Sequence, residues 1–177
     1  SKRFLTNKVD RSVSGLIAQQ QCVGPLHTPL SNFSIIAQSH FNISGSVISI
    51  GEQPLKSFIS PQNMARLTIG EMLTNLIFAK ITSIQDIKCE GNWMWSPKLL
   101  GEGSDLYSAV VTLKNTLIEL GIALDGGKDS MSMHSKLNNK LIKTPQSLVL
   151  SSYSPTTNVQ LKITPDFKEY NSDILFI

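Results

Sequence analysis

The pattern of apolar and polar positions along the chain predicts helices and strands that alternate. The longest helical pattern covers residues 60–80, where Ser60 is a suitable N-cap and Pro61 fits the first helical position. A second helix is predicted with Ser104 as its N-cap and with apolar side chains three or four residues apart, and Gly121 is expected to end it at the C′ position. These two long helices are the clearest elements of the pattern.

The remaining segments predict one short helix and several strands. The short helix runs from Asp10 to about Gln21 and is broken by Gly24-Pro25. The strands are rich in apolar and β-branched residues and cover residues 33–37, 47–50, 84–89, 122–124 and 147–153. A last apolar strand begins at residue 173, and a chain cut inside a strand suggests a piece of a larger protein.

Strands and long helices that alternate predict an α/β or α+β fold, a two-layer sandwich of a small mixed sheet and two helices. The length of 177 residues indicates one domain with a real core.

Composition narrows the class of protein. A hydrophobic content of 41% with only 16% charged residues indicates a rather apolar surface, and hence a protein partner. The net charge of +3 comes from scattered lysines and arginines, so neither nucleic acid nor an anionic membrane is indicated as a partner. Two cysteines and the lack of a long apolar run favour a soluble protein of the cytoplasm.

Glu71 is the only carboxylate of the first long helix, and helical spacing places it with Asn75 on the side away from the charged residues. Two interpretations stand at this point. Glu71 is a buried acid that is hydrogen-bonded to backbone or to an arginine, or it presents hard oxygens together with Asn75, as a Mg²⁺ held against phosphates prefers.

Three further stretches carry possible chemistry. The glycine-rich residues 126–130 follow a strand and suit either a tight turn or a phosphate cradle, although they do not form a Walker A loop. Ser31 and Asn32 are either turn formers or side chains that reach into a site from the end of a loop. Trp93 and Trp95 suit either the core or a pocket wall with Asn92 at its mouth.

Six motifs in register give the chain a specific resemblance. They are KVDRSVSGL (8–16), QQCVGP (20–25), GEQP (51–54), GEMLTN (70–75), GNWMW (91–95) and DGGKDS (125–130). From about residue 2 to residue 168 the chain resembles the large phosphoribosylformylglycinamidine synthases of purine biosynthesis, in the aminoimidazole-ribonucleotide-synthase-like N-terminal domain of the second half of the core.

The resemblance implies a fold and an activity. The sheet would pack against its counterpart from the first half as one half of a pseudo-dimeric barrel. The parent enzyme would convert formylglycinamide ribonucleotide, ATP and glutamine-derived ammonia to formylglycinamidine ribonucleotide, ADP and phosphate. Residues 1–168 would form the ATP-binding domain, residues 169–177 would open the following domain, and the first-half synthase domain and the glutaminase domain would be partners in the same polypeptide.

The resemblance also assigns site residues for two cofactors, Mg²⁺ and ATP or ADP. Glu71 and Asn75 match magnesium ligands, and Asn32 matches a third magnesium position that is usually Asp. With Asn at this position, the set of metal ligands carries one negative charge less. Ser31 matches a nucleotide-contacting position. The glycine-rich stretch matches, more weakly, a turn that touches ATP in smaller relatives, with the positions Gly127, Lys128 and Ser130.

No catalytic residue is expected within the chain itself. Two rival interpretations remain. Another member of the same superfamily is disfavoured by the Trp93 to Trp95 and Lys128 to Ser130 motifs. A non-catalytic interaction domain that has lost nucleotide binding is favoured by Asn32.

Overall fold

A computed structural model describes residues 14–27 and 29–176. The main sheet has six strands, and two helices pack against one of its faces. The strands are β1 Ile17–Gln19, β2 Phe33–Ala37, β3 Gly45–Glu52, β4 Lys88–Met94, β5 Ala123–Ser130, β6 His134–Leu137, β7 Lys140–Lys143 and β8 Ser147–Thr156. The helices are α1 Pro61–Leu76 and α2 Glu102–Leu120.

The sheet is mixed, as the sequence predicts. Its order is β1-β2-β3-β8-β4-β5, and every pairing is antiparallel except the one between β4 and β5, which is parallel. Strands β6 and β7 form a separate hairpin. The predicted two-layer arrangement of one small mixed sheet and two long helices is confirmed.

Alternation along the strands separates the buried face of the sheet from the open face. In β3, Val47, Ser49 and Gly51 are buried under the helices, whereas Ile50 is 51% exposed on the opposite face. Gly51 is required where α1 crosses β3, because a Cβ atom there would lie 2.2 Å from the Thr68 carbonyl oxygen. The backbones of helix and strand are therefore in direct contact near the start of the GEQP motif.

Helix α1 begins as predicted. The Ser60 hydroxyl accepts a hydrogen bond from the Asn63 amide, and Pro61 is the first helical residue. The helix ends at Leu76, earlier than the predicted residue 80, because the following backbone pairs with a later segment through the Lys80 N–H and the Leu161 carbonyl at 3.0 Å. This pairing ties the end of α1 to the chain after β8.

Helix α2 begins three residues earlier than predicted. Its N-cap is Gly101, which has a left-handed φ of 83°, and Ser104 lies inside the first turn, where its hydroxyl donates to the Gly101 carbonyl. Gly121 ends the helix with a φ of 70°, as the sequence predicts. The indole N–H of the buried Trp95 donates to the Glu102 carbonyl at 2.9 Å, so Trp95 belongs to the core.

Two predicted elements are wrong because sheet pairing overrides local pattern. The segment predicted as a helix up to Gln21 contains strand β1, which pairs with β2 through Ile17 and Ile36. The start of that predicted helix, including its cap Asp10, lies outside the described residues. The strand predicted over residues 84–89 lies at Lys88–Met94, after a 3₁₀ turn at Ile84–Asp86.

The glycine-rich stretch is also different from its prediction. Residues 126–130 continue strand β5 instead of turning, because β4 supplies a parallel ladder in which Gly91 pairs with Gly127. Two smaller differences concern the rest of the chain. The hairpin β6–β7 is not foreseen, and residues 173–176 form no strand, while Ile177 lies outside the described residues.

Candidate functional site

A cavity of about 140 Å³ lies beyond the C-terminal end of α1. It brings together three of the residues that the sequence singles out, Ser31, Asn32 and Asn75. The other side chains that line it are mainly apolar and come from the start of β2, the turn after α1 and the segment after β8: Leu30, Phe33, Phe78, Ile163, Thr164 and Pro165. Polar groups thus converge in an otherwise apolar pocket, which is typical of a small-molecule site.

The loop before β2 is folded back on itself and sets the position of Ser31. Cys22 and Leu30 form an isolated antiparallel bridge, and the Ser31 N–H donates to the Gln21 carbonyl at 2.6 Å. Ser31 is only 3% exposed, and its hydroxyl has no hydrogen-bond partner among the described residues. A buried hydroxyl left without a partner costs free energy, so this group is available to a ligand in the cavity.

Asn75 is oriented by the end of strand β3. Its side-chain nitrogen donates to the Ile50 carbonyl at 2.9 Å. Because the amide nitrogen is held by the strand, the amide oxygen is directed away from that contact. Asn75 lines the cavity, and its amide oxygen is therefore free to accept from or bind a ligand.

Glu71 lies one helical turn before Asn75 and does not itself line the cavity. It is half-buried, and one carboxylate oxygen, Oε2, accepts from the Glu52 N–H at 2.8 Å and from the Gln53 side-chain nitrogen at 2.9 Å. The expected hydrogen bond to backbone is therefore present, but the side chain is half-buried and not buried as that interpretation requires. The second oxygen, Oε1, takes part in no hydrogen bond within the described chain and remains open to a ligand.

The segment after β8 closes the opposite side of the cavity. The Ile163 N–H donates to the Phe78 carbonyl at 2.8 Å, and Ala79 and Lys162 form an isolated bridge. A shallower cavity of about 500 Å³ lies beside the first, shares Thr164 with it and contains Lys162. Partial burial lowers the pKa of Lys162, whose ammonium group donates to the Ala18 carbonyl at 2.9 Å.

Gly127, Lys128 and Ser130 lie elsewhere. They belong to strand β5, which is separated from β2 by four steps across the sheet order, and four steps of about 4.8 Å give roughly 19 Å. The Lys128 ammonium group donates to the Ser130 hydroxyl on the same strand. The structure therefore does not bring these three residues to the cavity at the end of α1.

The oxygen donors near this cavity are of the kind that Mg²⁺ prefers. Glu71 offers Oε1, Asn75 offers its amide oxygen, and Asn32 is an exposed side chain at the cavity. Within residues 14–27 and 29–176, no three His, Cys, Asp or Glu side chains come together as a metal-binding group. Glu71 is the only carboxylate among these three residues, so the set carries little charge.

Sequence reasoning missed two parts of the site. The first is Gln53, which lies in the GEQP motif but gives no local sign that it contacts Glu71, 18 residues away. The second is the apolar wall formed by Phe78, Ile163 and Pro165, since it depends on a contact between the turn after α1 and a distant segment.

In the part of the chain that the structure describes, neither helix is both long and apolar enough to cross a membrane.

Comparison with known proteins finds curated relatives that match almost the whole chain. The chain is 54% identical over 178 residues to phosphoribosylformylglycinamidine synthase of Dictyostelium discoideum. The alignment covers 98% of this chain and 13% of that protein. The human enzyme of the same name is 50% identical over 95% of this chain and 13% of its own length. The chain thus spans about an eighth of the length of the curated relatives that it matches.

Solved structures share the fold at low identity. The chain superposes on PurLQS from Thermotoga maritima with a TM-score of 0.69 and 13% identity, over 94% of this chain and 25% of that one. PurL from the same organism in complex with AMPPCP gives a TM-score of 0.66 at 14% identity, over 93% of this chain and 25% of that one. At this level of identity these matches describe the architecture alone.

The family to which the chain belongs is shown by its match to a family model. The model of the FGAR-AT PurM_N-like domain matches residues 1–155, which is most of the chain. Together with relatives of one name at 50% identity and above, this match confirms the resemblance that the six motifs indicate. The chain belongs to the FGAR-AT PurM_N-like domain family.

Proposed function

We propose that this chain is the part of an ATP-dependent phosphoribosylformylglycinamidine synthase that holds a magnesium–nucleotide complex. The observation that carries the proposal is the cavity at the end of α1, where Ser31, Asn32 and Asn75 meet and the Ser31 hydroxyl is buried without a partner. Structural relatives named PurL are described in complexes with ATP, with ADP and with FGAR, which supports a nucleotide as the ligand.

Each residue has a defined task in this proposal. Glu71 Oε1, the amide oxygen of Asn75 and the side chain of Asn32 would hold Mg²⁺, which neutralises the phosphate charge. The Ser31 hydroxyl would donate to a phosphate or ribose oxygen. The apolar wall of Phe78, Ile163 and Pro165 excludes water from one side of the complex.

In the parent enzyme, formylglycinamide ribonucleotide, ATP and glutamine-derived ammonia would give formylglycinamidine ribonucleotide, ADP and phosphate. ATP would activate the formamide oxygen by phosphorylation, and ammonia would then displace the phosphate. None of the chain's own side chains is given a proton-transfer or nucleophilic role. The chain would contribute the nucleotide site and structural support, while the glutaminase domain would supply ammonia.

The open face of the sheet supports a partner domain in the same polypeptide. Ile50 and Tyr153 are 51% and 39% exposed there, beside Ile48 and Val149 on the same face. An exposed apolar sheet face of this kind is typical of an interface. We propose that the first-half synthase domain covers it and completes the barrel. A cytoplasmic location stays a prediction, since an Arabidopsis relative is named chloroplastic/mitochondrial.

A second candidate function is an interaction domain without nucleotide. It is favoured by Asn32, which leaves Glu71 as the only carboxylate among the three proposed ligands. Equilibrium dialysis of ADP against the intact synthase, with and without Mg²⁺, separates the two functions. Magnesium-dependent binding that is lost in Glu71→Ala supports the nucleotide site, whereas unaltered binding in this variant would contradict the assignment of Glu71 to the metal site.

A further inference from the structure

The end of strand β3 contacts both proposed ligands on helix α1. The Ile50 carbonyl accepts from Asn75, and the Glu52 N–H and the Gln53 side chain donate to Glu71. The close approach of Gly51 to the Thr68 carbonyl fixes the register of the strand against the helix. The last three residues of β3 and the residue that follows them, 50–53, therefore form a template for the ligands on the helix.

The hydrogen bonds to Glu71 are concentrated on one oxygen. A carboxylate oxygen has two lone pairs, and both lone pairs of Oε2 are used, one by the Glu52 N–H at 2.8 Å and one by the Gln53 nitrogen at 2.9 Å. Oε2 therefore has no lone pair left for a metal ion. A metal at this site would therefore be bound by Glu71 through Oε1 alone.

Binding through one oxygen has a consequence for the choice of metal. Mg²⁺ takes six ligands in a small octahedron and suits a carboxylate that offers a single oxygen, whereas Ca²⁺ takes six to eight and often binds both oxygens of a carboxylate. We infer that Gln53 is a positioning residue for the proposed metal site, which blocks Oε2 of Glu71 and so makes the site prefer Mg²⁺ to Ca²⁺. This inference rests on the proposed function.

The Glu52 N–H belongs to the backbone and cannot be removed by substitution, but the Gln53 donor can. Gln53 is half-buried and contacts Glu71 through its side chain alone, so Gln53→Met keeps its approximate volume and removes the donor. The substitution frees one lone pair of Oε2 and removes one of the two contacts that orient the carboxylate. Partners of a metal ligand typically contribute about tenfold or more to metal affinity.

The test is performed on the intact synthase, stripped of metal with EDTA. ADP binding is measured with Mg²⁺, with Ca²⁺ and without metal, and the part that Glu71→Gln removes is assigned to this site. In Gln53→Met we expect the Mg²⁺ concentration for half-saturation to rise about tenfold. The value for Ca²⁺ should rise much less or fall, so the preference for Mg²⁺ shrinks, and metal-free ADP binding should not change.

Two further variants guard against a change that only disturbs the fold. Gln53→Asn keeps the amide but is one methylene too short to reach Oε2, and it should behave like Gln53→Met. Gln62→Met makes the same chemical change near the start of α1, where Gln62 contacts Ser60, and it should leave both metal titrations unchanged. In the Glu71→Gln background, Gln53→Met should have no further effect on metal dependence, because Gln53 acts through Glu71.

Each outcome has a separate meaning. If Glu71→Gln removes magnesium-dependent binding and the Gln53 variants lower the preference for Mg²⁺, the positioning role is supported. If the Gln53 variants leave both metal titrations unchanged, or weaken ADP binding equally with and without metal, the positioning role is overturned while the nucleotide site stands. If the wild type shows no magnesium-dependent binding that depends on Glu71, the proposed function itself is overturned.

Discussion

Asn75 and Ile50 are joined by a hydrogen bond of 2.9 Å in which the side-chain nitrogen of Asn75 donates to the backbone carbonyl of Ile50. The contact uses one N–H of the amide and leaves the amide oxygen of this cavity-lining residue free. It also links the end of helix α1 to an open-face position of strand β3. The geometry of the proposed nucleotide site is thus set by the contact between these two elements.

Removing the Asn75 side chain should weaken metal-dependent binding. In Asn75→Ala both the oxygen ligand and the contact to Ile50 are lost, and we expect the affinity for Mg–ADP to fall about tenfold, since one ligand and its orienting bond disappear together. Isothermal titration of the intact synthase measures this change. Asn63→Ala, on the exposed first turn of the same helix, serves as the control. Equal losses in the two variants would show that only helix stability had changed.

Adding a charge at Asn32 should strengthen the site. Asn32→Asp would place a second carboxylate beside the ligand set, and the Mg²⁺ concentration that supports half-maximal ADP binding should fall about tenfold, because metal affinity rises with the number of charged ligands. Asn42→Asp makes the same change in an exposed loop, where it keeps the hydrogen bond to the Ser44 N–H, and should have no effect. An unchanged magnesium requirement in Asn32→Asp would exclude this position from the metal shell.

Gly51 and Gly70 should respond oppositely to alanine. A Cβ atom at Gly51 would lie 2.2 Å from the Thr68 carbonyl oxygen, so Gly51→Ala should destabilise the contact by about 1–3 kcal/mol. Gly70 lies in α1 with nothing within 4 Å of its Cβ position, so Gly70→Ala should stabilise the helix by about 1 kcal/mol. Hydrogen exchange of the α1 amides in the intact protein should speed up in the first variant and slow down in the second. If both variants changed the exchange rates in the same direction, the packing described for these two glycines would be contradicted.

Cys89 should be a slow nucleophile. Burial, with a smaller contribution from the Asp125 charge, raises the pKa of its thiol to about 11, against an ordinary value of 9.0. At pH 8 the raised pKa alone lowers the thiolate fraction about a hundredfold, and the burial of the side chain also limits access, so alkylation by iodoacetamide should be at least about a hundredfold slower than in the urea-unfolded protein. The rate, followed by mass spectrometry of the peptide that contains Cys89, should keep rising up to about pH 11. A plateau near pH 9 would contradict the burial of this thiol.

Elements that depend on local chemistry were predictable from the sequence. Ser60 and Pro61 mark the start of α1 because a cap and a first-turn proline act within a few residues, and Gly121 marks the end of α2 for the same reason. Helical spacing also places Glu71 and Asn75 one turn apart. The family resemblance, carried by six short motifs, assigns the same two residues to the magnesium site.

Elements that depend on distant pairing were not predictable in this way. Gly126-Gly127 is read locally as a turn, yet the parallel ladder to β4 keeps it extended. The segment before Gln21 is read as a helix, yet pairing with β2 makes it a strand. The contact between Gln53 and Glu71 requires the register of β3 against α1, which a pattern along the chain does not contain.

The central claim is that Glu71 and Asn75 hold a metal ion against a nucleotide, and a crystal of the intact synthase grown with Mn²⁺ and ADP tests it most directly. An anomalous difference map should show one manganese peak about 2.0–2.3 Å from Glu71 Oε1 and from the amide oxygen of Asn75, with a phosphate oxygen in the same shell. Glu71 Oε2 should still accept from Gln53 and from the Glu52 N–H. A map without a peak at the end of helix α1, with ADP bound elsewhere, would contradict the account.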